Sequence, residues 1–171
     1  MTDSLSTVEL GLQPFAGYLA GCPETLVLVI KGQAGAAEAG GGKPFSGPDG
    51  EALDKALSAL GWSAGGWLGV LLTAPGLEPL SAEQLRLLCE IVDPLLIIAL
   101  DEVARQSLRE AFARPRPGLA ADFEPGARSQ MLGRVFVSVD GFESSLADQA
   151  AKQRCWAQLK QAAKQTVHEF S

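Results

Sequence analysis

The chain has 171 residues, 47% hydrophobic and 20% charged, with a formal net charge of −6. That length supports one domain with a substantial core, and a single domain over 1–171 is expected. The charge is uneven: residues 1–100 hold 4 Lys/Arg against 11 Asp/Glu, a balance poorly suited to neutralising a polyanion.

Met1 to Ser6 carries Asp3 and no Lys or Arg, so no secretory leader is expected. Ser4 to Leu19 reads as a first helix, with Leu5, Val8, Leu12, Phe15 and Leu19 at helical spacing and Pro14 as a kink. Leu26 to Ile30 is a short β-branched apolar run that suits a strand buried on both faces. A loop follows with glycines at 32, 35, 40, 41 and 42, which frees the backbone for tight turns or close approach to a ligand. Ser46 or Gly47 can cap the next helix, with Pro48 near its first position and Asp49 and Glu51 in its first turn. Its apolar face is Ala52, Leu53, Ala56, Leu57 and Leu60, and Gly61 ends it.

Ala56 to Leu77 lacks charge over a membrane-spanning length, but Gly61, Gly65, Gly66, Gly69, Pro75 and Gly76 divide it. It reads as a helix end, a turn and a second buried strand at Trp67–Thr73, so no membrane association is expected. Ser81 and Gln84 form a capping box for a third helix with Leu85, Leu88, Cys89 and Val92 inward, broken at Asp93-Pro94. Leu95 to Leu100 is the third strand, and Asp101 caps a helix through Phe112. Arg114 to Gly126 is Pro/Gly-rich and reads as a surface excursion. Arg134 to Val139 is the fourth strand. Ser145 with Asp148 then opens a long last helix carrying Leu146, Ala150, Trp156, Leu159, Ala163 and Val167.

Four apolar strands alternating with helices predict a three-layer α/β/α sandwich around a central four-stranded parallel sheet. Ligands of such sheets sit outside the carboxyl ends of the strands. Gly32–Phe45, Thr73–Gly76, Asp101 and Val139–Ser144 should therefore converge on one crevice. Two phosphate-binding patterns are excluded there. Ala37 stands where a P-loop needs its first glycine and Pro44 follows the lysine, while G-x-G-x-x-G is absent. Cys22, Cys89 and Cys155 include no C-x-x-C pair, so they read as buried thiols in a reducing cytoplasm, with no metal and no cofactor expected. Arg105, Arg109, Arg114, Arg116, Arg128 and Arg134 are candidates for a local basic patch or a mixed solvated surface.

The segment Gly42 to Leu57, G-K-P-F-S-G-P-D-G-E-A-L-D-K-A-L, resembles the G-x-P-F-x-G-x-x-G-x-L-L signature of the uracil-DNA glycosylase superfamily, in the branch with iron–sulfur thermophile-type enzymes. Asp93 to Leu100 resembles that family's Arg-Pro-x-x-Ile-x-Ala-Leu strand, and Ala150 to Lys160 its closing helix. The resemblance implies a uracil-DNA glycosylase-like fold. It also implies a nucleobase-sized crevice walled by Gly32, Gln33, Ala34, Phe45, Ser46 and Gly69, with Phe45 stacking on the base. The partners it implies are a nucleobase, a nucleotide or single-stranded DNA, the base being extruded for cleavage of its N-glycosidic bond.

The chemistry of that family is not carried over. Its loop carboxylate falls on Gln33, its base-reading Asn on Gly69, and its His-Pro-Ser on Asp140-Gly141-Phe142. Three cysteines cannot supply its four cluster ligands, and the one histidine, His168, near the C-terminus, reads as a surface residue. Asp140 is the catalytic candidate, with Glu143 and Glu38 as further carboxylates at the mouth. A negative Asp140 would oppose a departing base anion. The expectation is a domain that has lost uracil excision; the alternatives are a glycosylase of altered specificity using Asp140, Glu143 or Glu38, or a non-catalytic interaction module.

Overall fold

The computed structural model describes residues 6–62, 66–113, 125, 128–131 and 133–170, without side chains for 131 and 162–170. The chain forms an α/β domain around a six-stranded mixed sheet in the order β1-β3-β2-β4-β6-β5. The strands are β1 (Leu19–Gly21), β2 (Val27–Lys31), β3 (Leu68–Leu71), β4 (Leu96–Ala99), β5 (Arg128–Met131) and β6 (Arg134–Ser138). The helices are α1 (Thr7–Leu12), α2 (Ala36–Ala39), α3 (Pro48–Ala59), α4 (Ala82–Val92), α5 (Glu102–Ala111), α6 (Phe142–Ser145) and α7 (Gln149–Phe170).

The four inner strands are parallel, with Val29 opposite both Gly69 and Ile98, and Ile98 opposite Val137. Every residue of these strands is buried, because helices cover both faces. Alternation sorts their side chains. Leu28, Ile30, Val70, Ile97 and Phe136 pack with Leu12 of α1, Leu85 and Leu88 of α4 and Leu108 of α5. Val27, Val29, Ile98, Val135 and Val137 pack on the opposite face with Leu53 and Leu57 of α3, Phe142 of α6 and Leu159 of α7. Burying each such Leu, Ile or Phe contributes about 1.5–3 kcal/mol against chain entropy.

The sheet is larger than the four strands expected. β1 pairs antiparallel with β3, and β5 antiparallel with β6; antiparallel edges are common on otherwise parallel sheets. The predicted first helix is correspondingly shorter. α1 is closed at its start by a Ser6–Glu9 capping box, gives way to a 3-10 turn over Gln13–Tyr18 with Pro14 at its start, and then enters β1. Pro14 lacks the N–H that an α-helix would use there. The first expected strand, β2, starts after Leu26, which is 59% exposed.

Gly47, one of the two expected caps, is the N-cap of α3. One helix boundary differs: Ser145 ends the short α6 instead of opening α7. Asp101 caps α5 as expected, accepting the Ala104 N–H at 2.9 Å. Asp93 takes the left-handed conformation, φ 52°, that terminates α4. Cys89 and Cys155 are buried free thiols and Cys22 is half-buried; burial pushes the Cys89 thiol up to about 12. Arg105 and Arg134 are buried, the latter paired with Asp93 at 2.9 Å, so they add nothing to a surface basic patch. Arg114, Arg116 and the expected excursion over 114–126, Pro125 aside, lie outside the described residues, as does the His168 side chain.

Candidate functional site

The site is built around a charge at the end of an apolar strand. Lys31 is the last residue of β2 and is 2% exposed. An unpaired ammonium is not tolerated at such a position. Its Nζ donates to Glu38 Oε1 and Asp49 Oδ2 and pairs with Glu143 Oε2, each at 2.7 Å. These are as many partners as an ammonium has protons. Glu38 comes from α2, Asp49 from the first turn of α3 and Glu143 from α6. One side chain thus ties together the loop after β2, the start of α3 and the segment after β6. Burial alone would lower the Lys31 pKa, but the hydrogen bonds to Asp49, Glu143 and Glu38 outweigh it and hold the group above its ordinary value.

Glu38 is buried, and both its oxygens accept hydrogen bonds. Its Oε1 also accepts the Gly35 N–H at 2.7 Å, and its Oε2 the Phe45 N–H at 2.8 Å. Burial works to raise its pKa, but the Lys31 ammonium and these two backbone donors prevail and lower it. The glycine-rich loop therefore closes on a carboxylate of its own, around Gly35 to Phe45. Phe45 itself sits at φ 61°, a left-handed conformation uncommon outside glycine.

The Phe45 ring turns inward. It is 7% exposed, meets Trp67 edge-on with centroids 5.4 Å apart, and lies 5.8 Å from Lys31 Nζ. It packs directly on β3 at Gly69, where a Cβ would come 2.5 Å from ring carbon Cε2 and 2.7 Å from Cδ2. Glycine at 69 is the condition for this packing. On the other side of Lys31, the Asp101 carboxylate accepts the Gly32 N–H at 3.0 Å and the Gln33 N–H at 3.2 Å. Thr73 Oγ1 donates to the Gly32 carbonyl at 2.7 Å. The loop leaving β2 is thus fastened to the ends of β3 and β4.

A cleft of about 140 Å³ opens at this end of the sheet, between Gln33 and Ala34 on one wall and Asp101, Glu143 and Ser144 on the other, with Lys31 at its base. Of the residues expected to wall a crevice, Gln33 and Ala34 line it, whereas Gly32 does not and has its N–H held by Asp101. Phe45 and Gly69 form a buried contact beside Lys31, outside the lining. Ser46 is exposed and its N–H donates to the Lys43 carbonyl at 3.1 Å. Asp140 does not line the cleft. It is exposed, its N–H donates to Gln158 Oε1 at 3.1 Å, and its carbonyl accepts the Cys155 thiol at 3.1 Å. Glu38 and Glu143, the other expected carboxylates, meet at Lys31. A larger groove, about 230 Å³, lies between α3 and α7 among Ala52, Ala56, Leu146 and Trp156, and shares Phe142 with the cleft.

Lys31 and Asp49 carry the centre of the site and were not anticipated. The available signal was a lysine closing an otherwise apolar strand, which has to be paired if helices cover both faces. No protein-family model matches the chain, and no curated protein matches it at a significant level. No described helix is long and apolar enough to cross a membrane.

Proposed function

We propose that this chain is a uracil-DNA glycosylase-like domain that keeps a small-ligand cleft at the carboxyl ends of its parallel strands and has lost uracil excision. The observation that carries the reading is the Phe45–Gly69 contact. In the family that the Gly42–Leu57 segment resembles, an Asn at position 69 would read the base. Here an aromatic ring lies where such a side chain would begin. The four inner parallel strands, flanked by helices on both faces, are in keeping with a three-layer glycosylase-like sandwich.

The cleft chemistry points the same way. No histidine lines the cleft among the described residues, and of its lining carboxylates Glu143 is committed to Lys31 and Asp101 to the Gly32 and Gln33 N–H groups. Fixed negative charge is the wrong sign for a departing base anion. At about 140 Å³ the cleft is smaller than the roughly 300 Å³ at which drug-sized pockets begin, so its occupant is a single small ring or a ligand of that size. Gln33 is the side chain placed to give it an amide contact.

The test has two arms. Uracil release from a single-stranded oligonucleotide should be absent; release at a rate above the buffer control would overturn the loss of excision. Thermal denaturation with free nucleobases and nucleosides should show a saturable rise in Tm that Ala34→Phe removes by filling the cleft. No shift with any base would overturn the binding assignment.

A further inference from the structure

Three carboxylates and one ammonium meet at Lys31, which leaves two negative charges in excess. Burial makes that imbalance costly: Glu38 is 1% exposed, Asp49 0% and Lys31 2%. Both Glu38 oxygens already accept hydrogen bonds, Oε1 from Lys31 and Gly35 and Oε2 from Phe45. The other two acids each keep an oxygen in hand. Asp49 Oδ1 is buried and accepts from no donor, an arrangement that is rare without a missing partner. Glu143 spends only Oε2 on Lys31.

Those two oxygens face the same space. An ideal Cβ on Gly47 would come 3.1 Å from Ala37 Cβ, 3.4 Å from Asp49 Oδ1 and 3.7 Å from Glu143 Oε1, so both carboxylate oxygens border the same position. Gly35 guards the other flank, where a Cβ would lie 2.1 Å from Glu143 Oε1. Glu143 is 27% exposed and lines the cleft, which gives solvent and ions a way in. The carboxylates of Glu38, Asp49 and Glu143 have oxygens within 4.8 Å of one another.

We propose that Asp49 Oδ1 and Glu143 Oε1 hold a divalent, oxygen-preferring cation of the calcium, magnesium or manganese class, with water completing its shell from the cleft. One such ion cancels the two excess charges. Each carboxylate then bridges, with one oxygen on the Lys31 ammonium and the other on the metal. The donor set is all oxygen, with no thiol or imidazole among the described residues at the site, which suits hard cations over zinc or copper. This site is independent of what the cleft binds: it holds or fails whether or not a nucleobase is recognised.

The full chain, freed of metal with a chelator, is titrated with Ca2+, Mg2+ and Mn2+ by calorimetry and thermal denaturation. The expected result is saturable binding at one site and a rise in Tm of about 3–6 °C at ten times Kd. Glu143→Gln keeps the side-chain shape and should weaken binding at least tenfold, while Glu51→Gln, at a carboxylate 76% exposed on α3, should leave it unchanged. Mn2+ added to wild-type protein should broaden the Gly35 and Gly47 amide resonances first, a readout that needs no variant. Absence of saturable binding, equal affinity in Glu143→Gln, or broadening confined to other acidic surfaces would overturn the proposal and reduce any association to diffuse surface charge.

Discussion

Lys31→Met tests the central ion cluster. Methionine keeps most of the length and apolar stem of lysine and deletes the ammonium. Three carboxylates 2.7 Å from that nitrogen then lose their common partner. Glu38 retains two backbone donors and Glu143 can turn toward water. The cost falls mainly on Asp49, which is fully buried and whose other oxygen already has no donor. Removing one member of a buried ion pair costs about 3–5 kcal/mol, or roughly 6–20 °C in Tm for a chain of this size. The loss should depend on pH. Without the ammonium Glu38 loses the side-chain partner that lowers its pKa, while burial still raises it. The variant therefore gains stability relative to wild type as pH falls, and the gap should narrow between pH 8 and pH 5. Urea denaturation across that range reads both effects. A loss under about 1 kcal/mol, or a gap that does not change with pH, would refute the view that Lys31 neutralises a buried acidic cluster.

Two further outcomes follow from the same geometry. Gly69→Asn should destabilise by about 1–3 kcal/mol through overpacking, since its Cβ would come within 2.7 Å of two Phe45 ring carbons; urea denaturation checks this, and the excision assay should show no uracil release gained. Glu38 has a folded-state pKa below its unfolded value near about 4.3, so its stabilisation is complete above that value and is lost as pH falls through the folded one. The urea midpoint of wild type should therefore drop on acidification below about pH 4.5, and that of Glu38→Gln less steeply.

Much of the scaffold was legible in the residues, because strands buried on both faces must be apolar throughout. Runs such as Leu96–Ala99 and Val135–Val137 allow little else. β1 escaped notice for the opposite reason. It is three residues long, and Leu19 continues the spacing of Leu12 and Phe15, so the helical stripe masked it. β5 follows a Pro/Gly-rich stretch and carries Arg128, Ser129 and Gln130, a polar run that gives no apolar signal. The location of the cleft could be reasoned out, since the parallel topology fixes where strand ends converge. Its electrostatics could not. Lys31 next to Gly32 resembles a strand simply reaching solvent, and Asp49 resembles an ordinary acidic residue in a first helical turn. That both are buried and bonded to one another is a fact of tertiary packing, invisible to periodicity.

The ammonium joint also sets an order of arrival. During synthesis Lys31, Glu38 and Asp49 leave the ribosome early and near one another, whereas Glu143 emerges only after β6. A nascent N-terminal half can satisfy two arms of the joint and must leave the third to water. The wall that Glu143 and Ser144 supply is thus the last part of the cleft to be synthesised, with only α7 to follow, and a chain truncated before α6 would carry Lys31, Glu38 and Asp49 without that wall.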